Sequence, residues 1–324
     1  MEKLTREFLC YLKSERNRSE CTVNNYGADL EAFCNYVHEL DAALNWEDID
    51  AGIVRGWMEE MTDKGNKATS INRRLSSLRA FFRYAVARGE LAHDPVYQIK
   101  GPKKEKPLPQ YLRESEMNRL LSEEYWDDSF KDLRSRTIIL TFYSTGVRLS
   151  ELQGLCDNSI DWQQNQLRVI GKRNKERIIP FGAELKDAIR RYQKRRDEMF
   201  GTGDGSLFVN DKGKGMTPAQ IRIDVERNIS KVTTMKKRSP HVLRHTFATA
   251  MLNNGSGVES VQKILGHESV ATTEIYTHTT FAQLRKVYAE AHPRGARKES
   301  QSIEKKSGRT GQQVETNKEE SRGA

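Results

Sequence analysis

SPHVLRHTFATAMLNNGSGVESVQKILGHESVATTEIYTHT, Ser239 to Thr279, is the stretch on which the reading of this chain turns. Ser239 followed by Pro240 reads as an N-cap and first-turn proline, which start a helix. His241 and Arg244 share one face of that helix, close to its positive end, where a phosphate is well received. Asn253, Asn254 and Gly255 stop it. A second helix follows with Val258, Val261, Ile264 and Leu265 as its apolar stripe, and Gly266 ends it. His267 comes just after that end. Ser269 then caps a third short helix that carries Tyr276. One segment thus supplies two imidazoles, a guanidinium and a phenol, each near a helix end.

Working outward, the chain has 324 residues, enough for two domains with separate cores. Its formal charge of +9 favours a polyanionic partner, nucleic acid before membrane. Cys10, Cys21, Cys34 and Cys156 form no CxxC pair and no metal-type spacing with histidine, so they read as free thiols of a reducing compartment. The N-terminus, MEKLTREFLCYLKSER, is charged and amphipathic and lacks the apolar region of a signal peptide. No run reaches transmembrane length, so a cytoplasmic protein with no membrane partner is expected.

Residues 1–100 read as a helical bundle. Leu4, Phe8, Tyr11 and Leu12 make one stripe. Val23, Tyr26, Leu30, Phe33 and Val37 make a second, capped by Thr22, and a short helix covers Ile53 to Met61. Thr69 caps a fourth, whose inner face is Ile71, Leu75, Leu78, Phe82 and Val86. Arg73, Arg74, Arg79 and Arg83 fall mostly elsewhere on its surface, as a solvated face or as a DNA contact. Residues 101–112 are rich in proline and lysine and form a charged, extended linker.

A second domain, 113–293, opens with a helix from Glu114 and a longer apolar one from Leu133 to Ser144, broken at Gly146. Arg148 precedes a short helix that Ser150 caps and that carries Glu151. QLRVIGKRNKERIIPF, Gln166 to Phe181, predicts a β-hairpin with Lys172 at the end of its first strand. A helix from Ala183 to Met199, a short strand at Leu207 to Val209 and a helix from Thr217 to Ile229 lead to the opening segment. Phe281 to Ala291 is again amphipathic. Residues 294–324 are almost devoid of apolar side chains and read as a disordered polar tail. The fold class is mainly α with a small β-sheet in the C-terminal domain.

Taken together, these stretches resemble the tyrosine recombinase (phage integrase) family. The resemblance lies in YSTGVRLSEL with Arg148 and Glu151, GKRNKER with Lys172, HVLRH with His241 and Arg244, LGH with His267, and TTEIYTH with Tyr276. It runs from the N-terminus to about Arg294 and within the family is similar to the bacterial Xer type.

The resemblance implies a SAM-like core-binding domain followed by a catalytic domain, and double-stranded DNA as substrate. It implies Tyr276 as nucleophile forming a 3′-phosphotyrosyl link, with Arg148 and Arg244 on the non-bridging oxygens. Lys172 becomes the general acid, His241 the base or partner of the phenol, and His267 a phosphate donor. Glu151 becomes a support that orients His241 or an arginine, and His245 a packing residue. No metal and no other cofactor is implied. The helix Phe281 to Ala291 is expected to pack on a neighbouring protomer, within a tetramer of one or two recombinases on two duplexes. A DNA translocase as activator and resolution of chromosome dimers at cell division belong to the same expectation.

Residue types alone leave other readings open. A mobile-element integrase differs only in its DNA target, and a type IB topoisomerase shares the phosphotyrosine chemistry. A non-catalytic DNA-binding protein has no use for Tyr276. Arg173, where the family often has glycine, predicts that Asn174 takes the strained turn position.

Overall fold

The computed structural model describes residues 1–104, 110–171, 174–201, 203, 205–266 and 278–295, the last stretch with side chains from Leu284 onward. The chain divides into two compact units, Met1–Leu108 and Pro109–Ala324. Among the described residues no helix is long and apolar enough to cross a membrane.

The first unit holds α1 (Glu2–Ser14), α2 (Glu20–Leu40), α3 (Ala51–Asp63) and α4 (Ala68–Ala87). Its core gathers Phe8, Phe33, Trp46, Trp57, Phe81 and Phe82, with Phe33 stacked on Trp46 at 5.8 Å between ring centroids. Two helix starts differ from the sequence reading. Ser19, not Thr22, caps α2, its hydroxyl accepting the Thr22 amide at 3.4 Å. Lys67, which offers no side-chain acceptor, precedes α4, so Thr69 lies inside the first turn. α2 thus starts where Ser19 offers an acceptor to its first turn.

The second unit opens with α5 (Glu114–Leu121) and α6 (Phe130–Thr145). α6 is buried over nearly its whole surface although it carries Thr137, Thr141 and Thr145. Each of these hydroxyls donates to the carbonyl four residues back, at 2.7, 2.7 and 2.5 Å, which lets a polar residue sit in the core. α7 (Leu149–Gln153) begins one residue before Ser150, and Arg148 occupies its N-cap.

Next come β1 (Ile160–Asp161), β2 (Gln166–Ile170) and β3 (Glu176–Pro180), an antiparallel sheet in that order. β1 is too short to register as a pattern. Asn174 has φ +58°, the left-handed conformation expected of it. α8 (Ala183–Phe200) and α9 (Pro218–Ile229) follow, the latter capped by Thr217 in a reciprocal pair with Gln220.

The expected strand at Leu207 to Val209 is not one. These residues are buried, but the backbone around them makes only isolated bridges, Cys156 with Ser206 and Val209 with Gly215. Apolar side chains mark burial here, not pairing.

α10 (Pro240–Asn253), α11 (Val258–Leu265) and α12 (His278–Ala291) close the unit. Val258 belongs to the first turn of α11 and is 60% exposed, so the buried stripe is only Val261, Ile264 and Leu265. Leu284, Tyr288 and Ala291 of α12 join the unit's own core. From Leu284 onward, the apolar face of α12 packs against the core of its own unit.

His292 anchors the end of α12. Its ring stacks on Tyr288 at 5.0 Å, its Nε2 meets the Tyr143 carbonyl at 3.0 Å, and its Nδ1 accepts the Arg294 amide at 3.1 Å. Burial takes its imidazole down to about 4, so the group is neutral at physiological pH.

Candidate active site

Three turns bring the site together. α6 ends in Gly146, with φ +61°; a Cβ there would lie 2.5 Å from Phe247 and 2.7 Å from Leu265. Only glycine lets the end of α6 approach α10 and α11 so closely. Two residues on, Arg148 starts α7, and its own amide donates to Glu151 Oε2 at 2.7 Å, the backward half of a capping box. α11 ends at Gly266, also left-handed at φ +64°, and leaves its last carbonyls open at the negative end of the helix.

Three arginines fill those carbonyls, one each. Arg177 Nε donates to Ile264 O at 2.9 Å, Arg244 Nη2 to Leu265 O at 2.7 Å, and Arg148 Nη2 to Gly266 O at 2.9 Å. Arg244 Nη1 also donates to Gly146 O at 2.5 Å, which ties the end of α6 to the end of α11. Glu151 is the common anion. It accepts both Nη atoms of Arg177 at 2.7 Å, a planar fork on a carboxylate, and Arg148 Nη1 at 2.9 Å.

Burial by itself would raise the Glu151 carboxyl. The bonds and charge of Arg177, with two bonds from Arg148, outweigh it and hold the carboxyl down at about 2. Glu151 therefore keeps its charge throughout the physiological range.

Burial takes Arg244 down to about 10, with Arg148 pushing the same way and Glu151 opposing, so the guanidinium stays protonated at neutral pH. Arg148 is 36% exposed, Arg244 is buried, and each of the bonds above uses one of the five N–H donors that a guanidinium carries. Arg148 opens toward solvent and Arg244 lies beneath it.

His241, in the first turn of α10, reaches solvent. Partial desolvation, then the charges of His245, Arg244, Arg222 and Arg148, lower its imidazole below the ordinary 6.5. It is neutral at pH 7 and can accept a proton. His245 is exposed as well, not packed; it lies one turn after His241 on the same outward face.

The structure thus brings Arg148, Glu151, His241 and Arg244 into one neighbourhood. Glu151 orients arginines rather than His241. Lys172, His267 and Tyr276 lie outside the described residues, as do Ser269 and its expected helix. In the first unit Arg73 bonds the buried Asp29 carboxylate at 2.5 Å, and Arg74 lies 3.8 Å from it. Arg79 donates to Ile99 O, and Arg83 is exposed.

Arg177 escaped the sequence reading. Ile178 and Ile179 both favour strand, which hides the register. Val169 pairs with Arg177, so the side chain at 177 faces inward with Ile179 while Ile178 faces out. An inward arginine needs a buried anion, and that was the signal.

Residues 110–283 match the model of the phage integrase family, and residues 5–89 match its N-terminal SAM-like domain. The chain belongs to the phage integrase family. Tyrosine recombinase XerC of Staphylococcus saprophyticus is 39% identical over 93% of this chain and 100% of its own length. Tyrosine recombinase XerC of Chlorobaculum tepidum is 36% identical over 89% and 94%. The stretches MNRLL, RLSEL and VYAEAHPRG carry the likeness to XerC within this chain.

The crystal structure of the XerH site-specific recombinase bound to a palindromic difH substrate shares the fold. It matches with a TM-score of 0.65 at 23% identity, over 88% of this chain and 84% of that one. As a member of this family the chain is a site-specific tyrosine recombinase of Xer type, an enzyme that cleaves and rejoins DNA.

Proposed function

We propose that the arginine cluster is the phosphate-holding half of the recombination site. The observation that carries this is the convergence of Arg148 and Arg244 on adjacent carbonyls of one helix end. That end sits one residue before His267 and ten before Tyr276. Two guanidiniums side by side match the two non-bridging oxygens of a phosphodiester, and they oppose the charge that grows as phosphorus becomes five-coordinate.

Tyr276 Oη attacks phosphorus while the bond from phosphorus to O5′ breaks. His241 takes the phenol proton, Lys172 delivers one to the leaving O5′, and His267 donates to a phosphate oxygen. Strand exchange and the reverse attack by a 5′-hydroxyl rejoin the DNA. The phosphotyrosyl bond conserves the energy of the phosphodiester, so rejoining requires no nucleotide.

Lys172→Ala is expected to cleave an ordinary phosphodiester on the order of 100- to 10,000-fold more slowly. A 5′-thio leaving group departs without a proton and restores the rate. A variant that stays slow on the thio substrate removes Lys172 from the general-acid role.

The XerC relatives favour resolution of chromosome dimers at cell division in the cytoplasm. The recombinase then works as a tetramer on two duplexes, alone or with a second recombinase, and a DNA translocase activates it. Arg83, and the open sides of Arg73 and Arg74, are the residues of α4 best placed to meet DNA. Sequencing genomic DNA recovered with the protein is expected to return one site near the replication terminus. Recovery at the ends of a mobile element instead favours the integrase reading.

A further inference from the structure

We propose that Arg177 is a positioning residue for phosphate capture, holding Glu151 and the end of α11 in the arrangement that aims Arg148 and Arg244. This rests on the reading of those two arginines as phosphate ligands. Every nitrogen of Arg177 is engaged on an inner partner, and its burial keeps the group from substrate. Nε is on Ile264 O, Nη1 and Nη2 are on the two oxygens of Glu151, and the residue is 8% exposed. What it touches is what orients the other two. Glu151 holds the side chain and the amide of Arg148. The α11 end supplies Leu265 O to Arg244 and Gly266 O to Arg148.

The packing supports the same conclusion. A Cβ on Gly266 would lie 3.3 Å from Cδ, Nε and Nη1 of Arg177, so the left-handed turn rests on this side chain. β3, α7 and α11 are far apart in sequence, and one planar guanidinium joins them. A lysine keeps the charge opposite Glu151 but is a point donor; it cannot serve both carboxylate oxygens and a carbonyl in one plane. With the fork lost, only the bonds from Arg148 itself hold the Glu151 carboxylate, and the aim of the Arg148 side chain loosens with it.

The test compares full-length Arg177→Lys, Arg177→Met and Arg148→Ala with the unaltered protein. Each is given a nicked duplex with either a phosphodiester or a methylphosphonate at the scissile position, and strand cleavage is followed in a single turnover. Methylphosphonate replaces one charged oxygen by methyl and so reduces the need for an aimed cation. DNA affinity by gel shift and Tm are measured alongside.

Arg177→Lys is expected to bind DNA within about 3-fold of the unaltered protein and to cleave the phosphodiester about 10- to 100-fold more slowly. On methylphosphonate that deficit shrinks by about 10-fold, as it does for Arg148→Ala. Should Arg177→Met not fold, Arg177→Lys decides, since it retains the buried charge. Cleavage unchanged in Arg177→Lys overturns the proposal. So does a deficit equal on both substrates while that of Arg148→Ala shrinks, because a general structural role acts alike on both. If the Arg148→Ala deficit does not shrink either, the phosphate-ligand reading itself fails, and the proposal with it.

Discussion

Tyr276→Phe is expected to form no covalent adduct with a nicked suicide substrate, while the unaltered protein is trapped on the 3′ side of the break. Removing a nucleophilic oxygen lowers a rate on the order of a million-fold, to below detection in a gel assay. DNA affinity is expected to change by less than about 3-fold, because one hydroxyl among many phosphate contacts is lost. The tyrosines buried in the core of the second unit give the experiment its sharpness. Tyr143, Tyr192 and Tyr288 are almost wholly buried, and burial raises each phenol, Tyr143 and Tyr192 to about 12. Tyr288 is additionally locked in the α12 anchor by its stack on His292. None of the three can take over attack from inside the core. Adduct formation by Tyr276→Phe would therefore overturn the nucleophile assignment rather than point to a substitute from the core.

Arg244→Ala and Arg148→Ala are each expected to slow cleavage about 100- to 1,000-fold, the usual loss on removing one preorganised stabiliser of transition-state charge. Their effects on stability separate them. Arg244 is buried and satisfies the carbonyls of Gly146 and Leu265, so its removal leaves two inner acceptors without these donors. That costs about 1–3 kcal/mol for each group left unpaired. Arg148 is partly exposed, and Glu151 keeps the full fork of Arg177 when Arg148 is gone. Thermal unfolding should show a clear fall in Tm for Arg244→Ala and a small one for Arg148→Ala, with cleavage severely reduced in both. Normal cleavage by either variant would remove that arginine from the phosphate. Equal losses of Tm would mean that the bonds to the end of α11 do not carry the stability assigned to them.

Much of this was legible from residue order. Pro240 after Ser239, Thr217 before Pro218, and the left-handed Gly146 and Gly266 mark helix ends through forces that act within one turn. The inner faces of α2 and α4 follow from 3.6-residue spacing. What misled was of another kind. The apolar run Leu207 to Val209 has the composition of a strand but encodes burial without ladder pairing. Val258 fits the stripe of α11 but lies in its exposed first turn. His245, expected to pack, shares the outward face of His241.

Residue order alone determined the helices, many of their ends, the hairpin and the family motifs with Arg148, Lys172, His241, Arg244, His267 and Tyr276, because each is encoded within a few neighbouring positions. Only the tertiary structure decided that Glu151 serves arginines, that Leu284, Tyr288 and Ala291 of α12 enter the core of their own unit, and that Arg177 joins the site. Those depend on strand register and on three carbonyls presented by a distant helix end, and a side chain facing inward acquires its partner only when remote segments meet.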